Sequence, residues 1–88
     1  MSAHVQLSAI EAPDDDAAWA IGKSWANAAG LRVATRGSVR RWDDKFSAGR
    51  VLWDVEVIVR DPAGWTLGGD DILFAGTVGE FLDALEAS

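Results

Sequence analysis

The sequence predicts an α+β fold, a two-layer sandwich in the order β-α-β-β-β-α. Both helices are expected on one face of a four-stranded, mostly antiparallel sheet. Segments in which apolar and polar residues alternate are interleaved with two segments of helical periodicity. Strands with one apolar face and helices with one apolar stripe bury those surfaces against each other. The length of 88 residues corresponds to a single domain, residues 1–88.

The first strand is predicted over residues 3–11, where apolar residues occupy alternate positions. A helix then begins after Asp14, a favourable N-cap, and two further aspartates complement the helix dipole in its first turn. Gly30 is expected to end this helix, because glycine readily adopts a positive φ just after a C-cap. The alternating apolar residues of the strand are Val5, Leu7 and Ala9.

Two longer strands are predicted over residues 31–42 and 51–61, with residues 43–49 closing a hairpin between them. A symmetric hairpin places Arg36 opposite Glu56, a favourable cross-strand pair. It also places two like charges, Arg32 and Arg60, opposite each other. In the strand predicted at 51–61, the residues expected to face the helices are Val51, Trp53, Val55, Val57 and Val59.

The last third of the chain is expected to complete the sheet and add the second helix. The turn sequence "DPAG" at 61–64 predicts a returning strand at 65–67, and a short strand is possible at 72–74. Thr77 and Glu80 form the T-x-x-E pattern of a capping box, so a helix begins there. The apolar stripe of this helix is Val78, Phe81, Leu82 and Leu85.

The charge is acidic overall but unevenly distributed. The net charge is −6, yet residues 32–60 carry six arginines and one lysine against four acids. An acidic total argues against general nucleic-acid binding, which depends on neutralising phosphates. We expect no membrane partner, since no window approaches the roughly 20 apolar residues of a membrane span. The absence of cysteine and of a signal-peptide pattern favours a cytoplasmic protein, and the preference for arginine over lysine suggests a bacterial source.

Chemically reactive residues are scarce, and we predict no catalytic residue, metal site or cofactor. A nucleophilic triad would depend on His4, because it is the one histidine and there is no cysteine. The aspartates at 14–16 are explained by helix capping, and "GGDD" at 68–71 lacks the spacing of a calcium loop.

The sheet face turned away from the helices is a candidate interface. The arginines of the middle segment form a stripe on this face, around apolar residues. A charged frame around an apolar centre is typical of protein–protein interfaces, where arginine and aromatic residues are enriched. The candidate partner-binding residues on this face are Arg32, Arg36, Trp42, Ile58 and Arg60.

A second candidate surface lies on the first helix. Trp25 falls on its apolar stripe, but the helical phase places Trp19 on a different side, next to polar residues. Two structural roles are open to Trp19: it packs over the sheet edge, or it reaches the second helix. The third hypothesis is an exposed anchor for a partner, because tryptophan is enriched among binding hot spots. The residues predicted to frame this anchor are Gly22, Lys23 and Ala26.

Two classes of function remain open from the sequence. The first, which the scarcity of reactive residues favours, is a small acidic non-enzymatic interaction module of the adaptor, inhibitor or immunity type. Its partner would be another protein or a second copy of the chain. The alternative is a cofactor-free ferredoxin-like enzyme or small-ligand-binding protein with an aromatic pocket between sheet and helices. The residues that would line such a pocket are Trp53, Trp65, Phe74 and Phe81.

Overall fold

The computed structural model describes residues 2–60 and 72–87 and confirms the α+β fold. In this part of the chain, a four-stranded sheet is covered on one face by two helices. A one-turn helix joins two of the strands. The strands are β1 (Ser2–Glu11), β2 (Arg32–Arg41), β3 (Leu52–Arg60) and β4 (Ile72–Thr77), and the helices are α1 (Asp15–Ala28), α2 (Asp44–Ser47) and α3 (Val78–Ala87).

The sheet has the strand order β2-β3-β1-β4 and is mixed. β3 pairs with β1 and β2 in antiparallel fashion, whereas β4 pairs with β1 in parallel. The short strand expected at 72–74 therefore extends to Thr77 and forms one edge of the sheet. The predicted turn at 61–64 and strand at 65–67 lie outside the described residues.

The core lies between the sheet and the two long helices, as predicted. Val55, Val57 and Val59 are buried beneath the helices, while Trp53 is partly buried against the same cluster. In β1 the alternation is interrupted by a shift of register between Leu7 and Ile10. Ala9 has a φ of 60° at this bulge, and the bulge returns Ile10 to the buried face. Ile10, which follows Ala9 directly and is out of phase with Val5 and Leu7, is thus a core residue.

Helix α1 begins and ends where the sequence predicts. The Asp14 carboxylate accepts a hydrogen bond of 2.8 Å from the backbone N–H of Ala17. At the other end Gly30 adopts a φ of 80° and donates to the carbonyl of Asn27, while Leu31 donates to that of Ala26. These two bonds define a Schellman motif. Among the described residues, no helix is long and apolar enough to cross a membrane.

The segment predicted as a plain hairpin loop, residues 43–49, contains the one-turn helix α2. Asp43 caps it, its carboxylate accepting from the backbone N–H of Lys45 at 3.1 Å. Ala48 and Gly49, both with positive φ, then reverse the chain toward β3. The sequence prediction failed here because the turn is too short for helical periodicity to show.

The predicted register of the hairpin is wrong along most of its length. Arg32 does lie opposite Arg60, but register shifts interrupt β2 between Val33 and Thr35 and again between Arg36 and Val39. Each bulge inserts unpaired residues, so Arg36 lies opposite Val57 instead of Glu56. The second bulge includes Gly37, where a Cβ would lie 2.5 Å from the Glu56 carbonyl oxygen.

The capping box of α3 is confirmed. The Thr77 hydroxyl accepts from the backbone N–H of Glu80 at 3.2 Å, and the Glu80 carboxylate accepts from the backbone N–H of Thr77 at 3.0 Å. On the apolar stripe Phe81 is completely buried, but Leu82 is 39% exposed and does not belong to the core. The face of α3 that packs on the sheet is therefore narrower than the apolar stripe predicted from the sequence.

We expect the cap of α3 to weaken in acid. Hydrogen bonds from the backbone and hydroxyl of Thr77 hold the pKa of Glu80 below its ordinary value. A carboxylate with a depressed pKa stabilises the fold above its unfolded pKa, and this contribution is lost as the pH falls through the folded pKa. Glu80→Gln should therefore reduce the loss of stability between neutral and acidic pH, measured by urea unfolding across a pH series. Equal pH dependence in variant and parent would contradict this role.

Candidate functional site

The sheet face opposite the two long helices is the candidate site, and we call it the open face. In the described part of the chain no long helix covers it. Pairing brings its side chains into rows that run across the four strands, with Ile58 and Ile72 on either side of His4. The other side chains of the open face are Gln6, Ser8, Arg32, Thr35, Ser38, Arg40, Asp54, Glu56, Arg60 and Ala75.

Two adjoining cavities lie at one end of the open face. The first is a polar groove of about 330 Å³, which we call the Arg40 groove. The second is a shallower depression of about 400 Å³, formed with Trp42 and Phe46. Arg40 and Asp54 line both and mark the boundary between them. The polar side chains of the Arg40 groove are Gln6, Ser8, Ser38, Arg40, Asp54 and Glu56.

The carboxylates of the groove are engaged by side chains other than Arg40. The Trp42 indole Nε1–H donates to Asp54 Oδ1 at 2.7 Å. Gln6 Nε2 donates a long hydrogen bond of 3.5 Å to Glu56 Oε2. His4 Nδ1 is buried 3.2 Å from the same oxygen, although it is not aligned to form a hydrogen bond with it. Among the described residues, no acid lies within ion-pair distance of the Arg40 guanidinium.

The most exposed large apolar side chain of the described residues lies beside these cavities. Phe46 on α2 is 70% exposed, and the Lys45 ammonium lies 5.5 Å from the centroid of its ring. Trp42, whose indole is held by Asp54, forms the other aromatic wall. Sequence reasoning predicted Trp42 but missed Phe46, because residues 43–49 were interpreted as a loop. An aspartate cap ahead of an apolar residue was the available signal.

The predicted site residues do not all share the open face. Arg32, Ile58 and Arg60 lie there, and Trp42 lies at its end, as the alternation indicates. Arg36 does not, because the bulges in β2 turn it to the helix side. The structure thus divides the predicted arginine stripe between the two faces of the sheet.

Arg36 links β2 to α1, where it contacts Trp19. Its guanidinium lies 3.1 Å from Asp16 Oδ1 and 3.5 Å from Asp15 Oδ2. Its Cζ also lies 5.9 Å from the centroid of the Trp19 ring, within the range of a cation–π contact. Trp19 is partly buried and packs against the core cluster. It therefore covers the edge of the sheet, one of the two structural roles considered from the sequence, and its ring contacts Arg36 of the edge strand β2.

The predicted frame of Trp19 is wrong at two of its three positions. Gly22 and Ala26 are buried, and with Ala18 they form the stripe of α1 that touches the sheet. A Cβ on Gly22 would lie 2.7 Å from Val55 Cγ1, so the helix approaches too closely for a larger residue. Lys23 alone is exposed. Trp19 and Trp25 lie on either side of the stripe, so both rings cover the sheet without sharing one helix face.

We expect Trp19→Ala to destabilise the domain by about 2 kcal/mol, less than the 3–5 kcal/mol typical of a fully buried tryptophan. A double-mutant cycle with Arg36→Gln should show a coupling of about 0.5–1 kcal/mol from the stacked pair. Urea unfolding of the parent, both single variants and the double variant provides the four required values. An unchanged urea midpoint for Trp19→Ala would show that the ring contributes nothing to the core.

The described aromatic residues of the predicted ligand pocket, Trp53, Phe74 and Phe81, pack against the core instead. Phe74 and Phe81 meet edge to face, with ring centroids 5.1 Å apart. The Trp53 Nε1–H donates to the backbone carbonyl of Ala12 at 2.9 Å. Trp65 lies outside the described residues. Three of the four aromatic side chains are therefore engaged in packing between the layers, and both cavities described above lie at the open face.

Comparisons with known proteins add no family. No protein-family model, curated protein or solved structure matches the chain. Within residues 2–60 and 72–87, no group of three or more histidine, cysteine or acidic residues is placed to hold a metal ion.

Proposed function

We propose that the protein is a non-enzymatic binding module, cytoplasmic, that docks another protein on the open face. The observation that carries this proposal is the exposure of Phe46 beside a sheet face that no long helix of the described residues covers, and on which apolar and charged side chains alternate. An exposed aromatic side chain next to apolar residues that lose their contact with water on binding is typical of an interface hot spot. The helix surface around Trp19 is the weaker alternative, because Trp19 already packs on its own core.

The open face offers a partner both apolar contact and directional polar groups. Ile58 and Ile72 provide apolar surface in the row that contains His4, and Ile72, on the edge strand β4, is 40% exposed. Phe46 and Trp42 provide a second apolar surface on the far side of the Arg40 groove, where Asp54 fixes the indole. Residues with fixed rotamers lose less entropy on binding, so this end of the face is preorganised for a partner.

The charge of the open face favours an acidic partner. Among its described residues, the open face carries Arg40 and Arg60, which have no acidic partner there, and the carboxylates of Asp54 and Glu56, which accept from or lie beside other side chains. Complementary charge speeds association and suppresses wrong partners more than it raises affinity. Association should accordingly slow as salt is added.

The proposal is tested by comparing captured proteins across matched variants. Phe46→Ala removes the exposed aromatic ring beside Trp42 at the end of the open face. Lys23→Ala removes an exposed side chain on α1, away from the open face. Quantitative mass spectrometry of proteins retained by each variant should show one protein lost with Phe46→Ala and kept with Lys23→Ala. A hot-spot aromatic contributes 2 kcal/mol or more, which corresponds to at least about thirtyfold in affinity.

Two outcomes would contradict the docking face. If Lys23→Ala loses the partner and Phe46→Ala keeps it, the helix surface is the binding site. If both variants retain the same proteins, neither surface is the main anchor. Sedimentation of the parent at low salt identifies the partner as a second copy if the mass doubles, and Phe46→Ala should then restore the monomer.

A further inference from the structure

The Arg40 groove contains a cation with no acidic partner in the described structure and two acids that are held away from it. Asp54 lies opposite Arg40 in the register of β2 and β3, the usual arrangement for a cross-strand ion pair. Its carboxylate instead accepts the indole N–H of Trp42 at 2.7 Å. Glu56 is engaged by Gln6 and lies beside His4. Arg40 is exposed, so the donors of its guanidinium face solvent and are accessible to a ligand.

A guanidinium binds planar anions best, because its two parallel N–H groups match the two oxygens of a carboxylate. The neighbouring acids restrict which anion fits. Asp54 and Glu56 line the same groove, so a phosphate dianion would meet two negative charges within it. A single carboxylate meets less repulsion, and an N–H donor next to it would be accepted by the groove carboxylates and the hydroxyls of Ser8 and Ser38.

We propose that the Arg40 groove binds the C-terminal end of a peptide chain, with the terminal carboxylate on Arg40 and the last amide N–H directed to the acidic side of the groove. The end of a chain carries both groups within one residue. The groove volume of about 330 Å³ is near the lower limit of ligand pockets. This inference deepens the proposed function and depends on the partner being a protein with an accessible C-terminus.

Small probes test the groove without the partner. N-acetylglycine carries the terminal carboxylate and one amide N–H, N-acetylglycinamide lacks the carboxylate, and acetate lacks the amide. Each is titrated into ¹⁵N-labelled protein, together with inorganic phosphate, at constant ionic strength. The backbone amides of Ser38 and Asp54 report on the groove. N-acetylglycine should bind about tenfold more tightly than N-acetylglycinamide, since hydrogen bonds to charged groups are the stronger class. It should also bind more tightly than acetate or phosphate.

Matched arginine variants locate the site. Arg40→Gln should weaken N-acetylglycine about tenfold, whereas Arg60→Gln, the same substitution on the same face outside the groove, should change it by less than about twofold. Equal weakening in the two variants would show general attraction to a basic face and overturn the proposal. So would phosphate or acetate binding as tightly as N-acetylglycine. Probe binding that depends on Arg40, with no protein captured through Phe46, would instead retain the groove and reject the protein-binding function.

Discussion

Replacing Phe81 with alanine is expected to lower the free energy of unfolding by about 3–5 kcal/mol, through lost transfer energy and the cavity left behind. Phe81 is completely buried and meets Phe74 edge to face at 5.1 Å. The contact joins α3 to β4 and β1 at the parallel edge of the sheet. A domain of 88 residues has a margin of roughly 5–15 kcal/mol, so this one substitution removes a large share of it.

The neighbouring residue provides the control. Leu82 is 39% exposed on the same helix, so Leu82→Ala should cost less than about 1 kcal/mol. Urea unfolding followed by circular dichroism measures both variants, and equal slopes show that the denatured state is unchanged. If the two variants lose similar stability, Phe81 is not the anchor of α3, and the helix is held mainly by its capping box.

The second large effect is expected at Gly22, where the substitution usually chosen to strengthen a helix should weaken the protein. Alanine is the better helix former by about 1 kcal/mol. At Gly22, however, the added Cβ would lie 2.7 Å from Val55 Cγ1, and overpacking a core costs about 1–3 kcal/mol. We expect Gly22→Ala to lower the urea midpoint, because α1 must move away from β3.

Gly79, on helix α3, provides a control for the same substitution at a position with free space. A Cβ there meets only Thr77 Oγ1, at 3.9 Å, so Gly79→Ala should raise stability by about 0.5–1 kcal/mol. A second control removes the obstruction: in a Val55→Ala background, Gly22→Ala should cost less than it does in the parent. A stabilising Gly22→Ala in the parent background would show that α1 has room to move.

The candidate site was partly predictable from the sequence. Alternation in β3 correctly placed Ile58 and Arg60 on the face opposite the helices. The hydrogen-bond partners of the two acids in the Arg40 groove could not be predicted, because they depend on which donors lie nearest Asp54 and Glu56 in the folded chain. The donors are Trp42, which directly follows β2, and Gln6 on β1, so each bond joins residues far apart in the chain. Phe46 was missed because a single helical turn leaves no periodic pattern.

The sequence by itself determined the features that depend on neighbours within one turn or one strand. These are the caps at Asp14, Gly30 and Thr77 and the burial of alternate valines in β3. Tertiary structure alone decided the parallel pairing of β4, the bulges that turn Arg36 toward α1, and the phase of α1. Hydrophobicity favours large residues at a helix–sheet contact, but α1 turns the small residues Ala18, Gly22 and Ala26 to the sheet. These small residues let the helix approach closely, so that Trp19 and Trp25 on either side of them cover the sheet. That choice depends on the shape of the opposing surface, which no local pattern encodes.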